Sequence, residues 1–425
     1  MSSIISGSLN GNQLDDGGKT QYGEKFLAEQ ASALYDFALG CVIENGGFGY
    51  LDAAGKVDTN SPRQAYVQSR MIQVFGLSHF FGDSSAKELV AHGITSLNRD
   101  FRDKKSQGYF NSIDLTGAPV MQEKLAYDHM FVLLAATMGV ALDVAGSQEL
   151  FDDIDKVIDS KFWDEKYAMM SNAWSLDFNE INSYRGVNAN MHAVEALLAA
   201  YDLTKNKKYQ ERALRISKKV ALEFAKPQAW LLPEHFDAQW KVDLEFNSDN
   251  VADQFCPYGV TIGHLFEWSR LLLQLQISCT EDGQHEDWIV EAATGLYAAG
   301  KKYGWSADGQ VGFIYTMDWS AKSVVTARMH WVAAEAVMAA YVLWKMTGDN
   351  QYLQDYDLWW QYISDHVIDR VQGSWHHELD SKLQPQSGTW AGKPDAYHAF
   401  NACLLPLLPL GASFLGSALT TSKNN

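Results

Sequence analysis

The sequence predicts an all-α chain closed as an (α/α)6 barrel of about twelve helices, with short β-strands in its long loops. Three observations predict it. Apolar residues recur with helical period along the whole chain. Five short polar junctions separate helical segments: Gly82-Asp83-Ser84, Gly146-Ser147, Lys205-Asn206-Lys207, Glu281-Asp282-Gly283 and Gly348-Asp349-Asn350. Their residues cap helices, and their spacing of roughly 60–75 residues marks a repeated helix pair. Six longer segments rich in Gly, Trp, Tyr and Phe alternate with these junctions, at 46–55, 107–117, 163–182, 227–250, 305–323 and 373–392. Gly312-Phe313-Ile314-Tyr315 within them is strand-like. Short turns at one end and long loops at the other suit an inner and an outer ring of six helices, with a site at the long-loop mouth. An open solenoid would need capping repeats, and the irregular repeat length weighs against it.

Each inner helix opens on polar residues where packing alone would place apolar ones. In chain order, Arg63, Tyr66 and Arg70 align on one helix, and Tyr127 and His129 follow Lys124 on the next. Asn188, His192 and Glu195 fall at i, i+4 and i+7 of a strongly apolar helix. His264 and Glu267 sit at i, i+3; Arg328, Trp331 and Glu335 share a face; His398 lies in the first turn of the last helix. Six polar helix ends at one mouth imply a polar pocket. Other polar residues read as structural: His79, His92 and His366 as hydrogen-bonded core histidines, Glu195 as a partner of a neighbouring loop, His330 as turned away from the pocket. Trp375-His376-His377-Glu378 reads as a strand on a mouth loop.

Composition narrows the function. The 425 residues are 47% hydrophobic and 20% charged, with net charge −18. That acidity disfavours nucleic acid and anionic membranes and suits a neutral small molecule. Cys41, Cys256, Cys279 and Cys403 are scattered, with no C-x-x-C. The N-terminus lacks a signal-peptide pattern and no apolar run spans a bilayer, so a cytoplasmic protein is expected. A single catalytic domain over 21–415 is expected, with flexible segments at 1–20 and 416–425; oligomeric state is not legible.

Half of a bundle metal site is visible in His264 and Glu267, but H-E-x-x-H and paired E-x-x-H are absent. So are phosphate-binding glycine loops and the G-x-S-x-G elbow. No metal and no cofactor are expected. Two histidines, two glutamates and an arginine without a cofactor motif suit proton transfer beside a carbonyl. An aldose opens its ring, loses the C2 proton, and is reprotonated at C1 through a cis-enediol. A glutamate can orient the imidazole, and an arginine can stabilise the developing enediolate.

Four segments carry a resemblance: Tyr184-Arg-Gly-Val-Asn-Ala-Asn-Met-His-Ala-Val-Glu-Ala, Glu234-His-Phe-Asp-Ala-Gln-Trp, Gly263-His-Leu-Phe-Glu-Trp-Ser-Arg-Leu and Gly373-Ser-Trp-His-His-Glu-Leu-Asp. From about residue 25 to 410 the chain resembles the N-acylglucosamine 2-epimerase family, on its mannose isomerase and sulfoquinovose isomerase branch. The resemblance implies an (α/α)6 barrel and catalysis without a metal. It implies His264 and His398 as acid/base residues facing the sugar from opposite sides, and Arg70 on substrate oxygens. It implies Asn188, His192, Glu267, Trp331 and Glu335 as pocket residues, to which Tyr66, Tyr127, Phe255 and His377 are added. The sulfoquinovose branch carries Arg where this chain has Gln254, and Gln where it has His377 and Pro394. Losing the guanidinium removes the bidentate partner of a sulfonate. The expected reaction is therefore D-mannose to D-fructose, with D-lyxose to D-xylulose as a second possibility. The rivals are a sugar 2-epimerase using the same histidines, a sulfoquinovose isomerase, a glycoside hydrolase using Asp237 with Glu267 or Glu335, and a non-catalytic sugar-binding protein.

Overall fold

The computed structural model describes residues 20–114 and 116–424; the segment expected to be flexible at 1–20 lies almost wholly outside it. Thirteen α-helices are present among the described residues. Six of them are α2 (Ala65–Phe80), α4 (Ala126–Ala141), α6 (Val187–Thr204), α8 (Ile262–Glu281), α10 (His330–Thr347) and α12 (Tyr397–Leu404). Both faces of these helices are apolar, so they are buried all round; every residue of Ala65–Ser78 is buried in α2. They pack in chain order, and α12 returns against α2, closing the inner ring.

The outer ring is α1 (Glu24–Ala38), α3 (Ala86–Ser96), α5 (Ser147–Val157), α7 (Lys207–Lys218), α9 (Asp287–Gly304) and α11 (Asn350–Tyr362). These carry a single apolar stripe. In α5, Ser147, Leu150, Phe151, Ile154 and Val157 face inward and the acidic residues face out. The five polar junctions are the turns between inner and outer helices. Asn206 caps α7 by accepting from the Lys208 amide, Asp349 caps α11 through Gln351, and Gly348 ends α10 with φ of 72°.

At the other end, the strand before an inner helix pairs antiparallel with a strand of the next long loop. Arg63–Gln64 pairs with Ser112–Ile113, Glu123–Leu125 with Ala173–Ser175, and Arg185–Gly186 with His235–Phe236. Val260–Thr261 pairs with Thr316–Met317, and Arg328–Met329 with Glu378–Leu379. Each loop is thus stitched to its neighbour around the mouth. The strand expected at 312–315 forms at Thr316–Met317, because Phe313 instead bridges to Trp305.

The tail expected to be flexible over 416–425 is corrected: α13 runs over Phe414–Asn424. Leu415 and Ala418 are buried, and α13 packs on α2 and α6 beneath the barrel. Its apolar face was too short to outweigh the polar residues that end the sequence. No helix among the described residues is long and apolar enough to cross a membrane.

Candidate active site

Side chains in the first turn of an α-helix lean toward its N-terminus. The inner helices all start at the long-loop mouth, so their first turns surround one hollow. Ten of the twelve residues singled out from the sequence line it: Arg70, Tyr127, Asn188, His192, Phe255, His264, Glu267, Trp331, His377 and His398.

The two histidines are built alike. His264 Nδ1 lies 2.9 Å from Glu234 Oε1, and His398 Nδ1 lies 2.9 Å from Glu335 Oε1. A carboxylate accepts from Nδ1–H, which leaves Nε2 as the basic nitrogen. Trp331 lies between them, its ring 5.3 Å from that of His264 and 5.8 Å from that of His398. Burial and the Arg70 charge hold His398 well below the ordinary imidazole range, so it is neutral at pH 7.

Arg70 enters from α2. It donates to Tyr127 Oη at 2.9 Å and pairs with Asp395 at 3.2 Å, while its Nε has no partner. Tyr66, Phe131 and Tyr397 pack their ring faces on the guanidinium at 5.1, 4.7 and 5.2 Å. Such a cation is fixed in place, and its Nε–H is buried without a hydrogen-bond partner.

The floor is acidic. His192 Nδ1 meets Glu195 Oε2 at 3.2 Å, and Tyr397 Oη donates to Glu195 Oε1 at 2.6 Å. Although burial alone would raise Glu195, its bonds to His192 and the Arg270 charge bring it down to about 2. Glu267 is pushed well above the usual carboxyl range by burial and by the neighbouring Glu335. Ligand atoms of His192, Glu195 and Glu267, and of Glu267, Glu335 and His398, lie within 4.8 Å of one another, close enough to bind a cation. Arg270, however, stands 2.8 Å from Glu335 and 3.6 Å from Glu267. Its fixed positive charge already answers these carboxylates and opposes a metal ion there.

Two of the twelve do not line the hollow. Tyr66 lies behind Arg70, and Glu335 lies behind His398, where it orients the imidazole instead of meeting a ligand. His330, expected to turn away, lines the hollow and stacks on His377 at 3.8 Å. Glu195 bonds His192 and Tyr397, not a loop. Asp237, offered as a hydrolase carboxylate, caps its own turn through the Gln239 and Lys241 amides.

Tyr315, Trp390, Pro257 and Asp395 line the hollow without having been picked out. Glu234 does stand inside a quoted motif, immediately before His235, and Asp395 stands three residues before His398. That adjacency was the available signal. Tyr315 and Trp390 gave none, because they come from loops whose path no period encodes.

The N-acylglucosamine 2-epimerase (GlcNAc 2-epimerase) family model matches residues 46–402. A D-mannose isomerase of Thermobifida fusca is 41% identical over 396 residues, covering 93% of this chain and 97% of that protein. A D-mannose isomerase of Pseudomonas cannabina pv. alisalensis is 38% identical over 397 residues, covering 93% and 95%. A crystal structure of D-mannose isomerase superposes with a TM-score of 0.83 at 27% identity, covering 92% of this chain and 99% of that one.

Proposed function

The chain belongs to the N-acylglucosamine 2-epimerase family, and from that premise we propose that it interconverts D-mannose and D-fructose, and D-lyxose and D-xylulose, as an aldose–ketose isomerase. The similar D-mannose isomerases support the substrate class. The observation that carries the chemistry is the pair of imidazoles, each with Nδ1 tied to a glutamate and both bordering one hollow.

In this reading His398 takes the anomeric hydroxyl proton and helps return it to the ring oxygen, opening the sugar. His264 Nε2 then removes the C2 proton. Electrons move onto O1 as the cis-enediolate forms, and the Arg70 guanidinium stabilises that charge. The proton returns to C1 from His264, O2 loses its hydroxyl proton as it becomes the ketone, and O1 gains one. The step is redox-neutral overall, and no cofactor or metal is invoked. Glu267 meets a sugar hydroxyl from the floor of the hollow. Gln254 lines the hollow and offers no guanidinium to a sulfonate, which favours an uncharged hexose.

The test is chelator-treated protein with mannose in D₂O. Fructose labelled at C1 is the expected product. Glucose labelled at C2 would assign a 2-epimerase instead, and faster turnover of sulfoquinovose than of mannose would overturn the substrate.

A further inference from the structure

The two histidine–glutamate pairs share their first contact and differ in what stands behind it. Glu234 makes no salt bridge with Lys or Arg among the described residues. Glu335 meets Arg270, whose Nε lies 2.8 Å from Glu335 Oε2. The same guanidinium places Nη1 2.8 Å from Gln274 Oε1 and Nη2 3.6 Å from Glu267 Oε1. Arg270 is 1% exposed and does not line the sugar hollow. Its lower side closes on the Phe414 ring of α13 at 5.9 Å.

Three glutamates from three inner helices therefore surround one guanidinium: Glu195 of α6, Glu267 of α8 and Glu335 of α10. His192, His398, Tyr397 and Arg70 also reach this floor. Arg270 makes its short contact to Glu335 and the long one to Glu267, which divides the floor unequally. We propose that Arg270 is a positioning residue that holds Glu335 as a fixed acceptor aimed at His398 Nδ1, so that His398 presents Nε2 to the sugar. Burial raises both glutamates; Arg270 opposes that for Glu335 by charge and by a direct hydrogen bond, and for Glu267 by charge alone. Without it, Glu335 takes a proton, stops acting as a fixed acceptor, and the imidazole is free to adopt the other tautomer.

The proposal rests on the isomerase reading for its kinetics, but its structural half is read without turnover. Nitrogen-15 histidine NMR reports the His398 tautomer in the parent, Arg270→Lys and Arg270→Met, with the resonance assigned by its loss in His398→Asn. The parent shows Nδ1–H with Nε2 unprotonated. Arg270→Met shows mixed tautomers, and Arg270→Lys lies between. In mannose assays Arg270→Met lowers kcat about 100-fold with KM within about threefold. Glu335→Gln does the same, and the double variant loses no more than the worse single. Should Arg270→Met not fold, Arg270→Lys carries the tautomer reading. An unchanged tautomer in the folded variants, or losses that multiply in the double variant, overturns the proposal. A parent that converts neither mannose nor fructose overturns the isomerase reading and leaves the tautomer result standing.

Discussion

Two sets of buried charges surround the same barrel mouth, and they are satisfied to different degrees. The outer set sits two to four residues before the inner helices. Arg63 pairs with Asp100 at 3.0 Å, Lys124 with Asp103 at 2.7 Å, and Lys393 with Asp369 at 2.7 Å. Arg328 meets both Asp308 oxygens at 2.8 and 2.7 Å. Each cation also takes a backbone carbonyl, as Lys393 takes that of Gly373. None of these side chains has a buried polar atom without a partner among the described residues, so these groups hold loops to helices. One turn further in, the same residue types are left incomplete. Among the described residues, Arg70 Nε, Glu267 Oε1 and Asn188 Oδ1 have no hydrogen-bond partner, and the two site histidines bond only through Nδ1. A saturated ion pair is scaffold. An incomplete one, held rigid beside a hollow, is available for chemistry.

That contrast breaks if the inner set behaves like the outer one. The largest effect belongs to His264→Ala or His398→Ala: kcat falls about 1,000-fold while the thermal midpoint stays within a few degrees of the parent. Equal losses of stability and activity would merge the two sets. Next, Arg70→Lys keeps the charge but loses the fork, and kcat on mannose falls about 100-fold.

The outer set should respond the opposite way. Asp103→Ala strips Lys124 of its carboxylate and destabilises the fold by about 3 kcal/mol, measured by denaturant unfolding. The folded fraction should keep kcat within about twofold. The last effect is in pH. Burial lowers His129 to about 3 and His330 to about 4 from an ordinary 6.5. Between those values and 6.5 the unfolded chain binds the protons that the folded one refuses. Stability is therefore full above pH 6.5 and declines as pH falls toward 4. His129→Gln should flatten that decline in a denaturant series; an unchanged slope would show that these imidazoles do not set it.

Much of the barrel was legible because its signals are local. The 3.6-residue period, the capping residues at Asn206 and Asp349, and polar side chains in the first turn of apolar helices all lie within one window. The same locality located His264, His398, Arg70 and His192. It failed for Tyr315 and Trp390, which reach the hollow from irregular loops. It failed for His330 too, because adjacent first-turn positions near a helix N-terminus can both face a wide hollow. The family resemblance gave Glu335 a place at the sugar, and the structure sets it one layer deeper.

The sequence by itself determined twelve barrel helices, their alternation, and which end holds the chemistry, since each follows from residues close along the chain. Only the tertiary structure decided how that chemistry is arranged. Arg70 and Asp395 are 325 residues apart in sequence, and Tyr397 and Glu195 are 202 apart. Which carboxylate a buried cation satisfies, and which polar atom is left free, depends on distances of 3 to 4 Å set by ring closure. No local period encodes those distances.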